Sequence, residues 1–184
     1  MISYFIIFKI LYKININIYK GLNMSLKIGD IAPGFTLKSK NLTGDFKEIS
    51  LSDYKGKNVV LFFFPGAFTG VCTDEACSIT GGLKEYEDLG ADVLGISVDS
   101  TFAQEGWTKQ FKIKIPLLSD FNKETIAKYG TRYPDGVFVG MNGVSKRSVF
   151  VIDKEGKIQH IEILDDAGKL PNFDKIKEVL KSLK

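Results

Sequence analysis

Two cysteines five positions apart, Cys72 and Cys77, are the residues of this chain best suited to covalent chemistry. A thiol acts as a nucleophile through its thiolate, and a free thiol with a pKa of about 8.5 is ionised to only a few per cent at neutral pH. Cys72 follows an apolar run and stands where a loop is predicted to turn into a helix. A helix N-terminus stabilises a thiolate, so the placement favours a reactive cysteine. A buried, inert cysteine is the alternative at this point.

The elements predicted around the cysteines are those of an α/β domain. The apolar run 59–64 is typical of a strand buried on both faces, and 92–98 is a second strand candidate. Residues 73–89, between them, have helical spacing. The sequence further predicts a helix at 102–111 capped by Ser100 or Thr101, a strand at 116–118, a helix at 123–129, a hairpin of 148–153 and 157–164, and a closing helix at 172–183. This order predicts a thioredoxin-like fold, with a mixed central sheet flanked by helices and an N-terminal β-hairpin or loop at 38–53.

Composition is that of one globular domain with balanced charge. A length of 184 residues suffices for a hydrophobic core, and two cysteines are too few for a disulfide scaffold. The chain has 25 Lys and Arg against 22 Asp and Glu, but Lys9, Lys13 and Lys20 lie in a leading segment without acids. The remainder therefore carries no basic surplus that would attract nucleic acid or an anionic membrane. We expect neither as a partner.

The leading segment, residues 1–23, differs in composition from everything after it. It is rich in Ile, Asn, Lys and Tyr, and its apolar stretches are too interrupted for a transmembrane helix, which needs about 20 apolar residues. It lacks a convincing cleavage site for a secretory signal and the Arg content of a transit peptide. We interpret it as an extension from a start codon assigned too far upstream, with a targeting segment or a surface helix as alternatives. The predicted domain spans residues 24–184. We expect the protein to be cytoplasmic.

The residues around Cys72 resemble the signature of the peroxiredoxin family. In the segment PGAFTGVC, Pro65 and Thr69 precede Cys72 at the family's spacing. Glu75 follows in the family's position, and Arg147 stands in KRSVFVID just before a late apolar strand. The resemblance also includes GDIAPGFTL and LSDYKGKNVVLFFFP, so it covers nearly the whole predicted domain. It implies a thiol peroxidase that acts on hydroperoxides and needs neither cofactor nor metal.

The resemblance implies a role for each matched residue. The Cys72 thiolate attacks the peroxide, while the Thr69 hydroxyl and the Cys72 backbone N–H bind the peroxide oxygen. Pro65 shapes the pocket wall and shields the sulfur from water. Arg147 supplies a permanent cation with a planar donor fork, and Glu75 holds that guanidinium in place. We also expect Cys72 to be partly exposed, so that substrate can reach it.

Cys77 indicates which group of peroxiredoxins the sequence resembles. Its position five residues after Cys72 is that of the bacterioferritin comigratory protein group of peroxiredoxins, in which the second cysteine resolves the sulfenic acid of the first through an intramolecular disulfide. Two alternatives remain: a one-cysteine peroxidase resolved by an external small thiol, and a peroxide-sensing relay protein. No cysteine follows position 77, which excludes a C-terminal resolving residue in this sequence.

The remaining expectations concern partners and supporting residues. The resemblance implies a thioredoxin-like or small-thiol reductant and a monomer or homodimer. One histidine and two cysteines cannot build a closed zinc site. Trp107 is expected near the active-site wall, although a simple core role would account for it equally well.

Overall fold

The computed structural model describes residues 25–40, 42–136 and 138–184. The described strands are β1 (Thr36–Ser39), β2 (Lys47–Ser50), β3 (Asn58–Phe63), β4 (Ala91–Ser97), β5 (Leu117–Ser119), β6 (Ser148–Ile152) and β7 (Ile158–Ile163). The described α-helices are α1 (Gly70–Gly81), α2 (Leu83–Asp88), α3 (Thr101–Phe111), α4 (Glu124–Lys128) and α5 (Phe173–Ser182). A short 3-10 helix, Leu51–Tyr54, follows β2.

All of these strands belong to one mixed sheet, ordered β2-β1-β5-β4-β3-β6-β7. The central strand β4 runs parallel to both of its neighbours, β3 and β5. The other pairs are antiparallel, including the terminal hairpin of β6 and β7. The predicted mixed sheet is therefore confirmed, and so is the N-terminal hairpin, in which Thr36 pairs with Ser50 and Ser39 with Lys47.

Strand β3 separates the two halves of the hydrophobic core. Its residues are all buried, and successive side chains point to opposite faces of the sheet. Val60, Phe62 and the following Phe64 pack into a cluster that also contains Cys72. Val59, Leu61 and Phe63 pack into a second cluster on the other face. This burial on both faces explains why the strand is an unbroken apolar run rather than an alternating one.

The helix predicted over 73–89 is wrong in its length, because the chain forms two helices there. Helix α1 begins earlier, at Gly70, and ends at Gly81; Gly82 then separates it from α2. The Gly82 N–H still donates to the Ser78 carbonyl at 3.0 Å, but glycine is a poor helix former and ends the regular element here. Helix α1 therefore contains both cysteines in one continuous segment.

Residues 1–24 lie outside the described residues, so their interpretation as an extension stays a prediction. Within the part of the chain that the structure describes, no helix is long and apolar enough to span a bilayer.

A chain that starts at Met24 is expected to keep the melting temperature of the full-length protein. The first described side chain that packs on the core is Leu26, so removing residues 1–23 takes away no described core contact. Thermal unfolding of the two chains, followed by circular dichroism, tests this. A melting temperature several degrees lower in the shorter chain would show that the leading segment packs on the domain.

Candidate active site

Cys72 lies in the first turn of α1, and Thr69 is the N-cap residue of that helix. The first hydrogen bond of the helix runs from the Thr73 N–H to the Thr69 carbonyl at 3.0 Å. The N–H groups of Gly70, Val71 and Cys72 therefore precede the hydrogen-bonded ladder of the helix. They give this end of α1 a partial positive charge next to the sulfur. The predicted position of Cys72 at a helix N-terminus is found in the structure.

The predicted partial exposure of Cys72 is wrong, because its side chain is only 1% exposed. The cysteine belongs to the core cluster that also contains Phe64 and Trp107. The cavity next to it has a volume of about 10 Å³ and is lined mainly by apolar side chains. This volume is at the lower limit for one water molecule. This cavity is therefore too small to hold a hydroperoxide.

Arg147 forms the electrostatic centre of the site. It stands immediately before β6, and its guanidinium is buried, with 1% exposure. Its Nη2 donates to the Cys72 sulfur at 3.4 Å and to the Ala167 carbonyl at 3.0 Å. Its Nη1 forms an ion pair with the Glu75 carboxylate. A planar guanidinium can satisfy these three groups together because its donors point in fixed, diverging directions.

Glu75 lies next to the guanidinium and forms an ion pair with it. It follows Cys72 by three residues on α1, which places both side chains on the same helix face. Burial raises the pKa of Glu75 to about 7, although the Arg147 charge opposes this shift. Its other oxygen, Oε1, is buried without a hydrogen-bond partner. Removing Arg147 would therefore leave a buried carboxyl group without its single charged partner, which is strongly destabilising.

Arg147 stays positively charged in this environment. Burial lowers the pKa of Arg147, but the neighbouring Glu75 and Cys72 outweigh this effect and leave its pKa above the usual value. The guanidinium is thus a permanent cation beside the sulfur.

Pro65 and Thr69 belong to the loop between β3 and α1. Pro65 is buried. The Thr69 hydroxyl donates to the Gly66 carbonyl at 3.1 Å and does not contact the sulfur. Its oxygen keeps its capacity to accept a hydrogen bond, for example from the O–H of a hydroperoxide.

Phe68 adopts a left-handed backbone conformation within this loop, with a φ of 63°. Such a conformation costs a non-glycine residue on the order of 1–3 kcal/mol, and surrounding contacts have to hold it. The strained residue lies directly before Thr69.

Cys77 lies on a different face of α1 and is exposed. Residues five apart in a regular helix differ by about 140° in direction and by about 8.6 Å between their Cα atoms. A disulfide tolerates a Cα separation of up to about 7 Å. The two thiols therefore cannot bond to each other while α1 is intact.

Trp107 packs on the active-site wall and contacts α1 directly. Its ring lies 5.3 Å from that of Phe64, and its indole N–H donates to the Thr73 hydroxyl at 3.2 Å. Trp107 is also a fully buried member of the core cluster, so it combines a contact with α1 and a core position. Because the chain has one tryptophan, its fluorescence can report on the first turn of α1.

Comparison with known proteins agrees with this arrangement. The model of the AhpC/TSA family matches residues 28–161. A peroxiredoxin from Oncorhynchus mykiss is 40% identical over 147 residues, which cover 76% of this chain and 70% of the relative. This chain belongs to the peroxiredoxin family. Peroxiredoxins are thiol-dependent peroxidases, so the protein is an enzyme of this class.

Solved peroxiredoxin structures share the fold. A peroxiredoxin-like protein from Aquifex aeolicus has a TM-score of 0.78 at 30% identity, with 89% of this chain and 91% of that one covered. The reduced 2-Cys peroxiredoxin of Plasmodium vivax has a TM-score of 0.76 at 28% identity, with 84% and 80% covered. The predicted thioredoxin-like fold is thereby confirmed.

Two contacts of this peroxiredoxin site were not predicted from the sequence. One is the Ala167 carbonyl, which receives a hydrogen bond from Arg147 across 20 positions of sequence. The other is the Thr73 hydroxyl, which links α1 to Trp107. Neither residue type indicates such a role by itself. The sequence carries one signal for the contact with Ala167, which is the polar turn 165–168 after β7. Loops at strand ends often carry site residues.

Proposed function

We propose that this enzyme reduces hydroperoxides through Cys72 and resolves the product through Cys77. The observation that carries the first part is the 3.4 Å contact between the Arg147 guanidinium and the Cys72 sulfur. A buried cation at this distance stabilises a thiolate and, after it, the negative charge that develops on the peroxide. The ion pair with Glu75 supports this role, because it fixes the guanidinium before substrate arrives.

The reaction begins when the Cys72 thiolate attacks one oxygen of the hydroperoxide. A sulfur–oxygen bond forms as the oxygen–oxygen bond breaks, and the leaving oxygen takes a proton and departs as alcohol or water. The enzyme then carries a sulfenic acid on Cys72. Thr69 and the free N–H groups at the start of α1 are suited to bind the two peroxide oxygens during this step.

Resolution then consumes the second thiol. The Cys77 sulfur attacks the sulfenic sulfur, a disulfide forms, and water leaves. An external dithiol, such as a thioredoxin-like protein, reduces the disulfide by thiol–disulfide exchange and is itself oxidised. Cys77 is exposed, which supports its reaction both in resolution and in the exchange with the external dithiol.

The disulfide requires α1 to unwind, at least in its first turns. Gly81 and Gly82 at the far end of α1 weaken the helix there by about 1 kcal/mol each relative to alanine. A one-cysteine cycle with an external small thiol is the second candidate. The separation of the two sulfurs across an intact helix favours it.

Oxidation by one equivalent of hydrogen peroxide is expected to open α1 and form the intramolecular disulfide. The intact mass should fall by two hydrogens, amide exchange at 73–80 should become fast, and exchange in β4 should stay slow. The fluorescence of Trp107 should change at the same time, because its hydrogen bond to Thr73 is lost.

The matched control for this experiment is Cys77→Ser. This variant is expected to consume about one equivalent of peroxide and then to stop unless a small thiol is added. Sustained turnover of the variant with a dithiol protein would place the enzyme in the one-cysteine class. Equal amide protection before and after a disulfide confirmed by mass would contradict the unwinding of α1.

A further inference from the structure

The loop between β3 and α1 has to keep a strained backbone shape at Phe68. Phe68 holds its left-handed conformation with a side chain that is 53% exposed. Its ring meets that of Phe111 in α3 edge-on, with 6.4 Å between the centroids, so its packing on the domain is partial. The hydrogen bond from the Thr69 hydroxyl to Gly66 lies within the loop and does not tie the loop to the domain. A hydrogen bond from another element to the backbone before Phe68 adds to this partial support.

Asp99, which follows β4, provides this support. Its Oδ2 accepts a hydrogen bond from the Ala67 backbone N–H at 2.8 Å. This bond reaches the loop one residue before the strained Phe68. One further described hydrogen bond joins a side chain of another element to this loop backbone, from the Thr73 hydroxyl of α1 to the Thr69 carbonyl at 2.8 Å. The Asp99 bond is the one that acts before Phe68 and comes from the sheet side.

The carboxylate of Asp99 is itself held in place. The Ser97 hydroxyl donates to the same Oδ2 at 2.8 Å, and the Ser119 hydroxyl donates to the Asp99 backbone carbonyl at 2.7 Å. These contacts come from the ends of β4 and β5, so the carboxylate is fixed on the sheet rather than on a loop. An acceptor fixed in this way can determine the position of the N–H group that it receives.

A buried side chain of α3 completes the support. The Gln104 amide donates to the Ser97 hydroxyl at 3.0 Å and to the Leu118 carbonyl at 3.0 Å. Ser97 and Gln104 are both fully buried. A continuous chain of hydrogen bonds thus runs from α3 and the sheet to Ala67.

We propose that Asp99 is a positioning residue for peroxide reduction. By fixing Ala67, it holds Thr69 and the free N–H groups of α1 in the geometry that receives the peroxide. The proposal rests on the proposed role of Cys72. A residue that only stabilised the fold would affect all reactions of Cys72 alike. A positioning residue affects the reaction with peroxide most.

The test compares Asp99→Ala with Asp99→Asn. Asparagine keeps a side-chain oxygen for the Ala67 N–H, whereas alanine removes it. We expect Asp99→Ala to lower the second-order rate constant of Cys72 with hydrogen peroxide by about tenfold or more, because small misplacements in a site slow reactions strongly. Asp99→Asn is expected to stay within about threefold of the wild type, since it keeps the hydrogen bond.

Two further measurements separate positioning from general destabilisation. Alkylation of Cys72 by iodoacetamide does not use the peroxide-binding groups, so its rate should change by less than about threefold in both variants. Amide exchange at Ala67 should rise about tenfold in Asp99→Ala alone.

Three outcomes would overturn the proposal: a wild-type peroxide rate in Asp99→Ala, equal losses in both variants, or equal losses with peroxide and iodoacetamide. If Asp99→Ala does not fold, Ser97→Ala replaces it, because this variant frees the carboxylate without removing it. An intermediate loss of peroxide reactivity is then expected, and a wild-type rate would contradict the proposal. If the wild-type enzyme shows no peroxide reduction that depends on Cys72, the proposed function is contradicted instead. Amide exchange at Ala67 in Asp99→Ala would still show whether Asp99 holds the loop.

Discussion

Replacing Cys72 by serine is expected to abolish peroxide reduction, with a rate loss on the order of a thousandfold or more. A serine hydroxyl is not ionised near neutral pH, so the helix N-terminus and the Arg147 cation have no anion to stabilise. Serine is close to cysteine in size, so the buried position should still pack. Peroxide consumption under steady-state conditions with a dithiol reductant measures the loss.

The control for this variant is Cys77→Ser, which changes the same atom at the exposed cysteine of the same helix. This variant should react with the first equivalent of peroxide at the wild-type rate. Thermal unfolding of both variants shows whether the fold survives. If Cys72→Ser kept more than a few per cent of the wild-type rate, Cys72 would not be the attacking residue.

Replacing Arg147 by lysine is expected to slow the reaction of Cys72 with peroxide by at least about tenfold, which corresponds to about 1.4 kcal/mol of lost transition-state stabilisation. Lysine keeps the positive charge. A single ammonium group, however, cannot reproduce the directions in which the guanidinium donates to Glu75, the Cys72 sulfur and the Ala167 carbonyl. Stopped-flow fluorescence of Trp107 with a pulse of peroxide measures the rate.

The matched control is Arg132→Lys, which makes the same change in an exposed ion pair with Asp135. A surface pair of this kind contributes little to stability, so this variant should react at the wild-type rate. An unchanged rate constant in Arg147→Lys would remove Arg147 from the peroxide site. A large fall in melting temperature with an unchanged rate would limit its role to the buried ion pair.

Most of the fold could be predicted because its signals are local. The apolar run that becomes β3, the turn between β6 and β7, and the capping of α3 by Ser100 are each encoded within a few residues. The break between α1 and α2 was missed, although its signal is also local. Helical spacing of the apolar residues continues across Gly82, and this spacing alone hides the break that the glycine pair Gly81-Gly82 marks.

The chemistry of the site could be predicted, but its burial could not. The signature around Cys72 identifies Pro65, Thr69 and Glu75 by position, whereas the exposure of a thiol depends on which distant side chains cover it. Here Cys72 shares its core cluster with Trp107, which is 35 positions away in the sequence. Likewise, the hydrogen bond between Asp99 and Ala67 joins segments 32 positions apart, and local pattern carries no information about it.

The position of the two thiols on different faces of α1 also bears on the reduction potential of the enzyme. A disulfide between Cys72 and Cys77 is incompatible with the intact helix, so reducing it allows α1 to fold again. The folding free energy of this segment is then added to the driving force for reduction. For a two-electron couple, about 1.4 kcal/mol corresponds to about 30 mV, so a segment worth about 3 kcal/mol would raise the potential by about 60 mV. A weakly reducing dithiol would then suffice to regenerate the enzyme, and substitutions that stabilise α1 would make its disulfide still easier to reduce.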